Sequence, residues 1–162
     1  MGLQHAQRRV ASVIEVNQSV YKEWFMTHGD SSRRGLQRTL TVLTVIPMAS
    51  AIGEIVRGPQ GVPGGSPDVV PTVDSSLRYA NVFKLAAGPL MLSQLGRVEE
   101  SPVVTFALST IFVGGLARLW SWRQRGRPHP IMVSAIALET VGVAGLLAWQ
   151  KSLSSSSTPP QT

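Results

Sequence analysis

Two uninterrupted apolar stretches, residues 102–122 and 131–149, constrain the fold more than any other feature of this sequence. Each carries a single charged residue, Arg118 in the first and Glu139 in the second. A helix rises about 1.5 Å per residue, so each stretch is long enough to cross the roughly 30 Å hydrocarbon core of a bilayer. A soluble amphipathic helix of similar length would carry a stripe of several charges. Both stretches are therefore predicted to be transmembrane helices.

Two further apolar stretches, residues 39–56 and 77–95, complete a set of four predicted spans. The first contains Pro47, which a membrane helix tolerates when neighbouring helices take up the freed carbonyl. The second is the most polar of the four. The connection between the second and third spans is so short that their helices must be antiparallel neighbours. The sequence thus predicts an all-α polytopic membrane protein, a four-transmembrane-helix bundle with both termini on the same side.

The segments that flank and join the spans are polar. Residues 1–35 are predicted to form an amphipathic helix at the membrane surface or a partly ordered tail, because apolar residues recur there at helical spacing. Residues 58–76 are rich in glycine and proline and are predicted to be a loop. Residues 152–162 are rich in serine and proline and are predicted to be a disordered tail. The transmembrane domain is therefore assigned to residues 36–151.

Several classes of site are excluded by residue type. The chain has no cysteine, so disulfides, thiolate metal ligands and cysteine nucleophiles are absent. The three histidines, His5, His28 and His129, lie far apart in polar segments, which argues against a zinc site. No serine lies in a nucleophile elbow. The sequence accordingly predicts no catalytic residue, no metal and no cofactor, and we expect a protein that is not an enzyme.

The formal net charge is +6, and most arginines lie next to apolar segments. This placement suits the phosphates of membrane lipids rather than nucleic acid, which we do not expect as a partner. Cations are somewhat more numerous on the side that holds the termini, so the positive-inside rule favours cytoplasmic termini. Which membrane holds the protein is left open. Membrane lipids and a homo-oligomer or larger membrane assembly are the expected partners.

Several short motifs, taken in order, resemble a known family. They are residues 72–79 (TVDSSLRY), residues 114–119 (GGLARL), residues 126–128 (GRP), Glu139, and the closing Trp149 and Gln150. In order and separation they are similar to the domain-of-unknown-function 4345 family of small four-helix membrane proteins. The resemblance covers about residues 36–151 and implies a four-span topology, but it implies no established activity. The long N-terminal segment departs from the family pattern.

A cluster of polar residues is predicted in one leaflet of the membrane. Threading the spans alternately through a bilayer brings the end of the first, the start of the second, the end of the third and the start of the fourth to the same side. The polar residues at these positions are Glu54, Arg78, Asn81, Lys84, Arg118 and Glu139. We expect Arg118 to pair with Glu139, with Lys84 as a competitor, because an unpaired charge inside a bilayer is costly. Glu54 is expected to pair with Arg78.

This cluster supports two interpretations that the sequence leaves open. It is either a set of ion pairs that fixes helix register, or a polar pocket that binds a ligand. Three cations against two carboxylates would leave one positive charge, which favours an anionic ligand. The leading prediction is a non-enzymatic accessory or assembly protein of the membrane. The alternatives are a small carrier, channel or binding protein for an anionic lipid, small anion or proton, and a lipid-modifying membrane enzyme.

Overall fold

The computed structural model describes the backbone of residues 2–156 and the side chains of residues 30–155. Within these residues every regular element is a helix, so the prediction of an all-α chain is confirmed. The chain divides into two units after Gly35, and the second unit holds all the predicted site residues. The elements are α1 (Gly2–Arg57), a 3-10 turn (Gly58–Gly61), α2 (Pro71–Ser93), a 3-10 turn (Leu95–Arg97), α3 (Pro102–Arg125), α4 (Pro130–Ala137), a π-helical turn (Leu138–Gly142) and α5 (Val143–Ser156).

Three segments of the described chain are long and apolar enough to cross a membrane, where the sequence predicted four. They are Asp30–Gly61, Pro102–Arg125 and Pro130–Ser155. The exception is α2, because it carries Asp74, Arg78 and Lys84. The helix that corresponds to the second predicted span therefore exists, but its composition alone does not mark it as a span.

The helix bounds differ from the predicted spans in several places. α2 begins at Pro71 rather than at residue 77, so Asp74 belongs to the helix and not to the preceding loop. The fourth predicted span is interrupted by the π-helical turn, and α5 continues to Ser156, past the predicted start of the tail. α1 begins at Gly2, but the side chains that would define an amphipathic face before residue 30 lie outside the described residues, as do residues 157–162.

Prolines and polar caps set the helix starts in the second unit. α2, α3 and α4 begin at Pro71, Pro102 and Pro130, where the missing N–H of proline costs nothing and its φ suits a helix. The Ser101 hydroxyl accepts a hydrogen bond from the Val104 N–H at 3.4 Å. α3 ends at Arg125, and the next residue, Gly126, has a φ of +91°, which glycine adopts without strain. These helix bounds are thus specified by the local sequence.

The apolar core of the second unit lies around the short connection between α2 and α3. Its fully buried side chains include Leu36 and Leu40 of α1, Val98 of the connection, and Val104 and Leu108 of α3. α3 also packs along α4, the π-helical turn and α5. The core therefore fixes one end of the bundle, and the predicted polar residues lie nearer the other end.

Gln150 of α5 holds the α2–α3 connection in place. Its side chain is buried, and Nε2 donates to the Val98 carbonyl at 2.7 Å and to the Ser101 carbonyl at 3.4 Å. Its Oε1 accepts from the Thr105 hydroxyl at 3.2 Å. On the other side of the connection, Gln37 Nε2 donates to the Leu95 carbonyl at 2.8 Å. Two glutamines thus satisfy carbonyls that a tight turn leaves without helical partners.

Replacing Gln150 with leucine is expected to lower the free energy of unfolding by about 1–3 kcal/mol, because the buried Val98 carbonyl would lose its donor. Titration of the detergent-solubilised protein with a denaturing detergent measures this change. Gln124, an exposed glutamine near the end of α3, provides the matched control. Equal stability of Gln150→Leu and Gln124→Leu would contradict this role for the Gln150 amide.

Candidate functional site

Lys84 joins α2 to α1 through a buried carboxylate. Its Nζ lies 3.1 Å from both carboxylate oxygens of Glu54 and donates a third hydrogen bond to the Ser50 hydroxyl at 3.1 Å. Glu54 is only 9% exposed. The ammonium group therefore has an oxygen acceptor for each of its three N–H donors. These contacts join α2 to α1 at Lys84.

Arg78 makes a second set of contacts around the end of α1. Its Nε donates to both carboxylate oxygens of Asp74, at 3.2 and 3.0 Å, and its Nη1 donates to the Ile55 carbonyl. Gly58 permits this packing, because a side chain there would overlap the Asp74 carboxylate and the Arg78 guanidinium. The predicted pair of Arg78 with Glu54 does not form. Asp74 lies one helical turn from Arg78 and takes its place.

Asn81 is buried but does not join the charged groups. Its Nδ2 donates to the Leu77 carbonyl, four residues earlier in the same helix, at 2.9 Å. This bond satisfies the amide locally. Asn81 therefore lies beside the charged residues of α2 without bridging them to another helix.

Arg118 and Glu139 form the predicted pair between α3 and the fourth predicted span. Arg118 Nε lies 3.5 Å from Glu139 Oε2, which is an ion pair but too long for a well-formed hydrogen bond. Arg118 Nη1 contacts the Met132 sulfur at 3.6 Å. Within the described residues, the buried Glu139 Oε2 accepts no hydrogen bond. The pair is thus held by charge attraction, and hydrogen-bonding capacity is left over on both partners.

The backbone around Glu139 is unusual. Glu139 lies in the π-helical turn, a rare geometry that occurs frequently at functional sites. α3 passes close to this turn at the buried Gly115, where a Cβ atom would lie 2.9 Å from both Glu139 Cβ and Thr140 Cγ2. The absence of a side chain at Gly115 therefore brings the backbone of α3 against the turn that carries Glu139.

Hydrogen bonds and ion pairs among the described residues place the charged members of the predicted cluster in two groups. Glu54, Arg78 and Lys84 lie where α1 meets α2, whereas Arg118 and Glu139 lie where α3 meets the π-helical turn. Neither a hydrogen bond nor an ion pair links these two groups within the described part of the chain. We call the two groups the α1–α2 contact and the Arg118–Glu139 pair.

Asp74 changes the charge balance that the sequence suggested. With Asp74 included, three carboxylates face three cations, and the expected surplus of one positive charge disappears. The signal was present in the sequence, since Asp74 and Arg78 are four residues apart in the TVDSSLRY motif. The predicted start of the span at residue 77 placed Asp74 in the loop and hid this pair.

The described residues contain no group of three histidine or acidic side chains that could hold a metal ion. Nothing in either polar contact therefore points to metal chemistry among these residues. The charged groups at the site are carboxylates and cations that face each other.

Comparison with known proteins identifies one family. The family described as Domain of unknown function (DUF4345) matches residues 35–150, which include all six predicted site residues and Asp74. No curated protein and no solved structure gives a match. The match covers well over half of the chain and agrees with the resemblance carried by the sequence motifs. The protein therefore belongs to the DUF4345 family.

Proposed function

We propose that this chain is a multi-pass integral membrane protein with four spans, formed by α1, α2, α3 and the segment from α4 to α5. Its three most apolar helices present large hydrophobic side chains outward. Val56, Phe106 and Val141 are 72%, 74% and 77% exposed. Apolar surface exposed on several helices is unfavourable in water. Lipid acyl chains would cover it. We further propose that both termini are cytoplasmic.

The fourth span in this proposal is α2, and the ion pairs support it. A lone charge near the bilayer centre costs about 2.5–3.5 kcal/mol on insertion scales, and a partner reduces that cost. Lys84 is paired with Glu54, and Arg78 is paired with Asp74 and the Ile55 carbonyl. The outward side of α2 is apolar, with Val82, Phe83 and Leu90 exposed. α2 therefore meets lipid with apolar residues and meets α1 with its charges.

Within that membrane location, we propose a non-enzymatic accessory or assembly role. The observation that carries this proposal is the pairing of each cation with a carboxylate, so that the α1–α2 contact acts as a structural tie between helices. The apolar outer surface then supplies packing area for lipids and for a second copy or a larger membrane assembly. Within the α1–α2 contact, the carboxylates of Glu54 and Asp74 are each engaged by a cation.

A second candidate function is the binding of a membrane lipid. One observation favours it: the Arg118–Glu139 pair leaves donors on Arg118 and a buried acceptor on Glu139 unfilled. Polar groups in a membrane interior are normally satisfied by protein or by a bound molecule. This candidate uses a different part of the bundle from the α1–α2 contact, so the two functions are compatible.

Reporter fusions test the topology. Fusions after residues 66, 97 and 126 and at the C-terminus are expected to place 66 and 126 on one side of the membrane, and 97 and the C-terminus on the other. If α2 does not cross, residues 66 and 97 would report the same side, together with the C-terminus. If the chain does not insert, every fusion would report one compartment. These three patterns differ, so the assay distinguishes four spans from three and from none.

Reconstitution tests the accessory role. Liposomes that contain the purified protein are expected to show no protein-dependent flux of protons or small anions, and no change in lipid composition with time. Time-dependent flux would favour the carrier or channel, and conversion of a lipid would favour the membrane enzyme. Either result would overturn the proposed accessory role while leaving the topology intact.

A further inference from the structure

Five exposed positions of α3 recur at spacings of three and four residues. They are Ile111, Gly114, Arg118, Ser121 and Arg125, and this spacing places them on one face of the helix. An added Cβ atom at Gly114 would meet no atom within 4 Å. The described part of the chain therefore leaves this face of α3 uncovered, and we call it the α3 stripe.

The polar half of the α3 stripe has hydrogen-bond donors that the described chain does not use. Arg118 is 46% exposed, and its guanidinium pairs there only with the Met132 sulfur and, at 3.5 Å, with a Glu139 oxygen. A guanidinium has five N–H donors, and a sulfur atom is a weak acceptor. Among the same residues, neither the Ser121 hydroxyl nor the Arg125 guanidinium forms a hydrogen bond or an ion pair. The stripe thus offers donors from two arginines and one serine.

The terminal nitrogens of Arg118 point toward the end of the bundle that holds the α3–α4 loop, residues 126–129. Nη1 lies 3.6 Å from the Met132 sulfur in the first turn of α4, whereas Nε faces Glu139 about two turns deeper. In the proposed topology this loop lies at a bilayer surface, where lipid phosphates are found. A basic side chain near a helix end extends in this way to keep its charge at the interface. The exposed Trp120 is of the residue type enriched at that depth.

The other half of the α3 stripe is apolar and lies deeper in the proposed membrane. Gly114 and Ile111 precede Arg118 by four and seven residues, which is about 6 and 10 Å along the helix. The stripe therefore changes from polar at the membrane surface to apolar toward the bilayer centre. A phospholipid changes in the same order, from its phosphate to its acyl chains.

The charges of the stripe favour a lipid with a net negative charge. Glu139 is the carboxylate that pairs with Arg118, and within the described residues no carboxylate pairs with Arg125. Two guanidinium groups against one carboxylate leave one positive charge. A zwitterionic lipid would bring its own cation next to the arginines and would be partly repelled, whereas an anionic lipid would not.

The spacing of the donors suits a single phosphate group. Arg118 and Arg125 are about 10 Å apart along the helix, so their long side chains can meet at a phosphate between them. Arginine binds phosphate through charge-assisted hydrogen bonds. Ser121 lies between the two arginines and adds a hydroxyl donor.

We propose that the α3 stripe binds an anionic phospholipid. Its phosphate accepts hydrogen bonds from Arg118, Ser121 and Arg125, and one acyl chain lies along Gly114 and Ile111. This inference rests on the proposed membrane location, and it names the lipid class for the second candidate function.

Two lipids with the same acyl chains test the dependence on charge. The full-length protein in a neutral detergent is titrated with palmitoyl-oleoyl phosphatidylglycerol and with palmitoyl-oleoyl phosphatidylcholine, and bound lipid is counted by native mass spectrometry. The surplus positive charge is expected to make phosphatidylglycerol bind about fivefold more tightly. Equal affinity for the two lipids would overturn the proposal.

Two arginines in the last turn of α3 provide matched variants. Arg125 lies on the stripe, whereas Arg123, which is also exposed, lies on the opposite side of the helix, because positions two residues apart differ by about 200°. Arg125→Gln is expected to lose the preference for phosphatidylglycerol, and Arg123→Gln is expected to keep it. Retention of the preference by Arg125→Gln, or an equal loss in both variants, would overturn the α3 stripe as the binding surface.

A water-soluble headgroup distinguishes a lipid from a free phosphate compound. Glycerophosphoglycerol has the phosphate and hydroxyls of phosphatidylglycerol but no acyl chain, so it is not expected to compete with the lipid. Competition at similar concentrations would overturn a lipid source for the phosphate.

The fusion reporters separate failure of this site from failure of the membrane proposal. An inserted protein that does not distinguish the two lipids overturns the α3 stripe alone. A protein whose fusions all report one compartment overturns the membrane location, and the lipid site with it.

Discussion

Replacing Glu54 with glutamine is expected to lower the free energy of unfolding by about 3 kcal/mol, because Lys84 would keep its charge between two helices without a carboxylate. Glu54 is nearly buried, and Lys84 Nζ reaches both of its carboxylate oxygens at 3.1 Å. The remaining contact to the Ser50 hydroxyl cannot neutralise the ammonium. Denaturing-detergent titration of the purified protein measures the loss.

Two further variants show whether the loss comes from the pair. Glu54→Gln combined with Lys84→Met removes both charges and is expected to recover most of the lost stability, because no unpaired ion remains. Arg57→Gln, which removes an exposed charge at the end of α1, is expected to change the free energy of unfolding by less than about 0.5 kcal/mol. A double variant that is no more stable than Glu54→Gln alone would show that Lys84 and Glu54 do not depend on each other.

The parts of the fold that the sequence predicted are those with a strong local signal. α3 was recognisable because most of its residues are apolar. An apolar stretch of this length is typical of a membrane span or a deeply buried helix. The pairing of Arg118 with Glu139 was predictable as well, because both positions carry a lone charge at a similar depth in neighbouring spans. These inferences need only the composition and length of each span and the assumption that successive spans cross the bilayer in opposite directions.

The pairing between α1 and α2 could not be predicted, because it depends on where α2 starts and on which way each side chain points. Pro71 starts the helix six residues before the apolar stretch begins, and this brings Asp74 onto the same helix face as Arg78. Glu54 is thereby left for Lys84. Helix starts are the least reliable part of sequence-based prediction. Here the earlier start of α2 changed the partners of Arg78 and Glu54, and it also changed the net charge of the site.

The π-helical turn was also beyond prediction, for a different reason. No residue type in Leu138–Gly142 favours five-residue hydrogen bonding by itself, and the bulge is identified by backbone bonds such as that from the Val143 N–H to the Leu138 carbonyl. The pair Gly114 and Gly115 next to Arg118 is a pattern typical of close packing between membrane helices. This pattern could not show which of the two glycines makes the contact.

These two glycines provide the second large expected effect. Gly115→Ala is expected to lower the free energy of unfolding by about 1–3 kcal/mol, because its methyl group would lie 2.9 Å from Glu139 Cβ and Thr140 Cγ2. The neighbouring atoms belong to a helical turn close to its backbone, so they cannot swing aside as the end of a long side chain would. α3 would have to move away from the π-helical turn.

Gly114→Ala is the matched control, because an added Cβ there meets no atom within 4 Å. Alanine is a better helix former than glycine, so this variant is expected to gain about 0.5–1 kcal/mol. Denaturing-detergent titration should therefore shift in opposite directions for two adjacent substitutions of the same kind. Equal shifts would contradict the close approach of α3 to the π-helical turn.

A compensating change tests whether residues 115 and 140 are in contact. Adding Thr140→Ser to Gly115→Ala removes the Cγ2 methyl group and is expected to restore part of the stability, while the contact with Glu139 Cβ remains. If Thr140→Ser gives the same change in the presence and absence of Gly115→Ala, the two positions are not in contact. Partial recovery would place the α3 backbone against the turn that carries Glu139, and the position of Glu139 relative to Arg118 would then depend on a residue without a side chain.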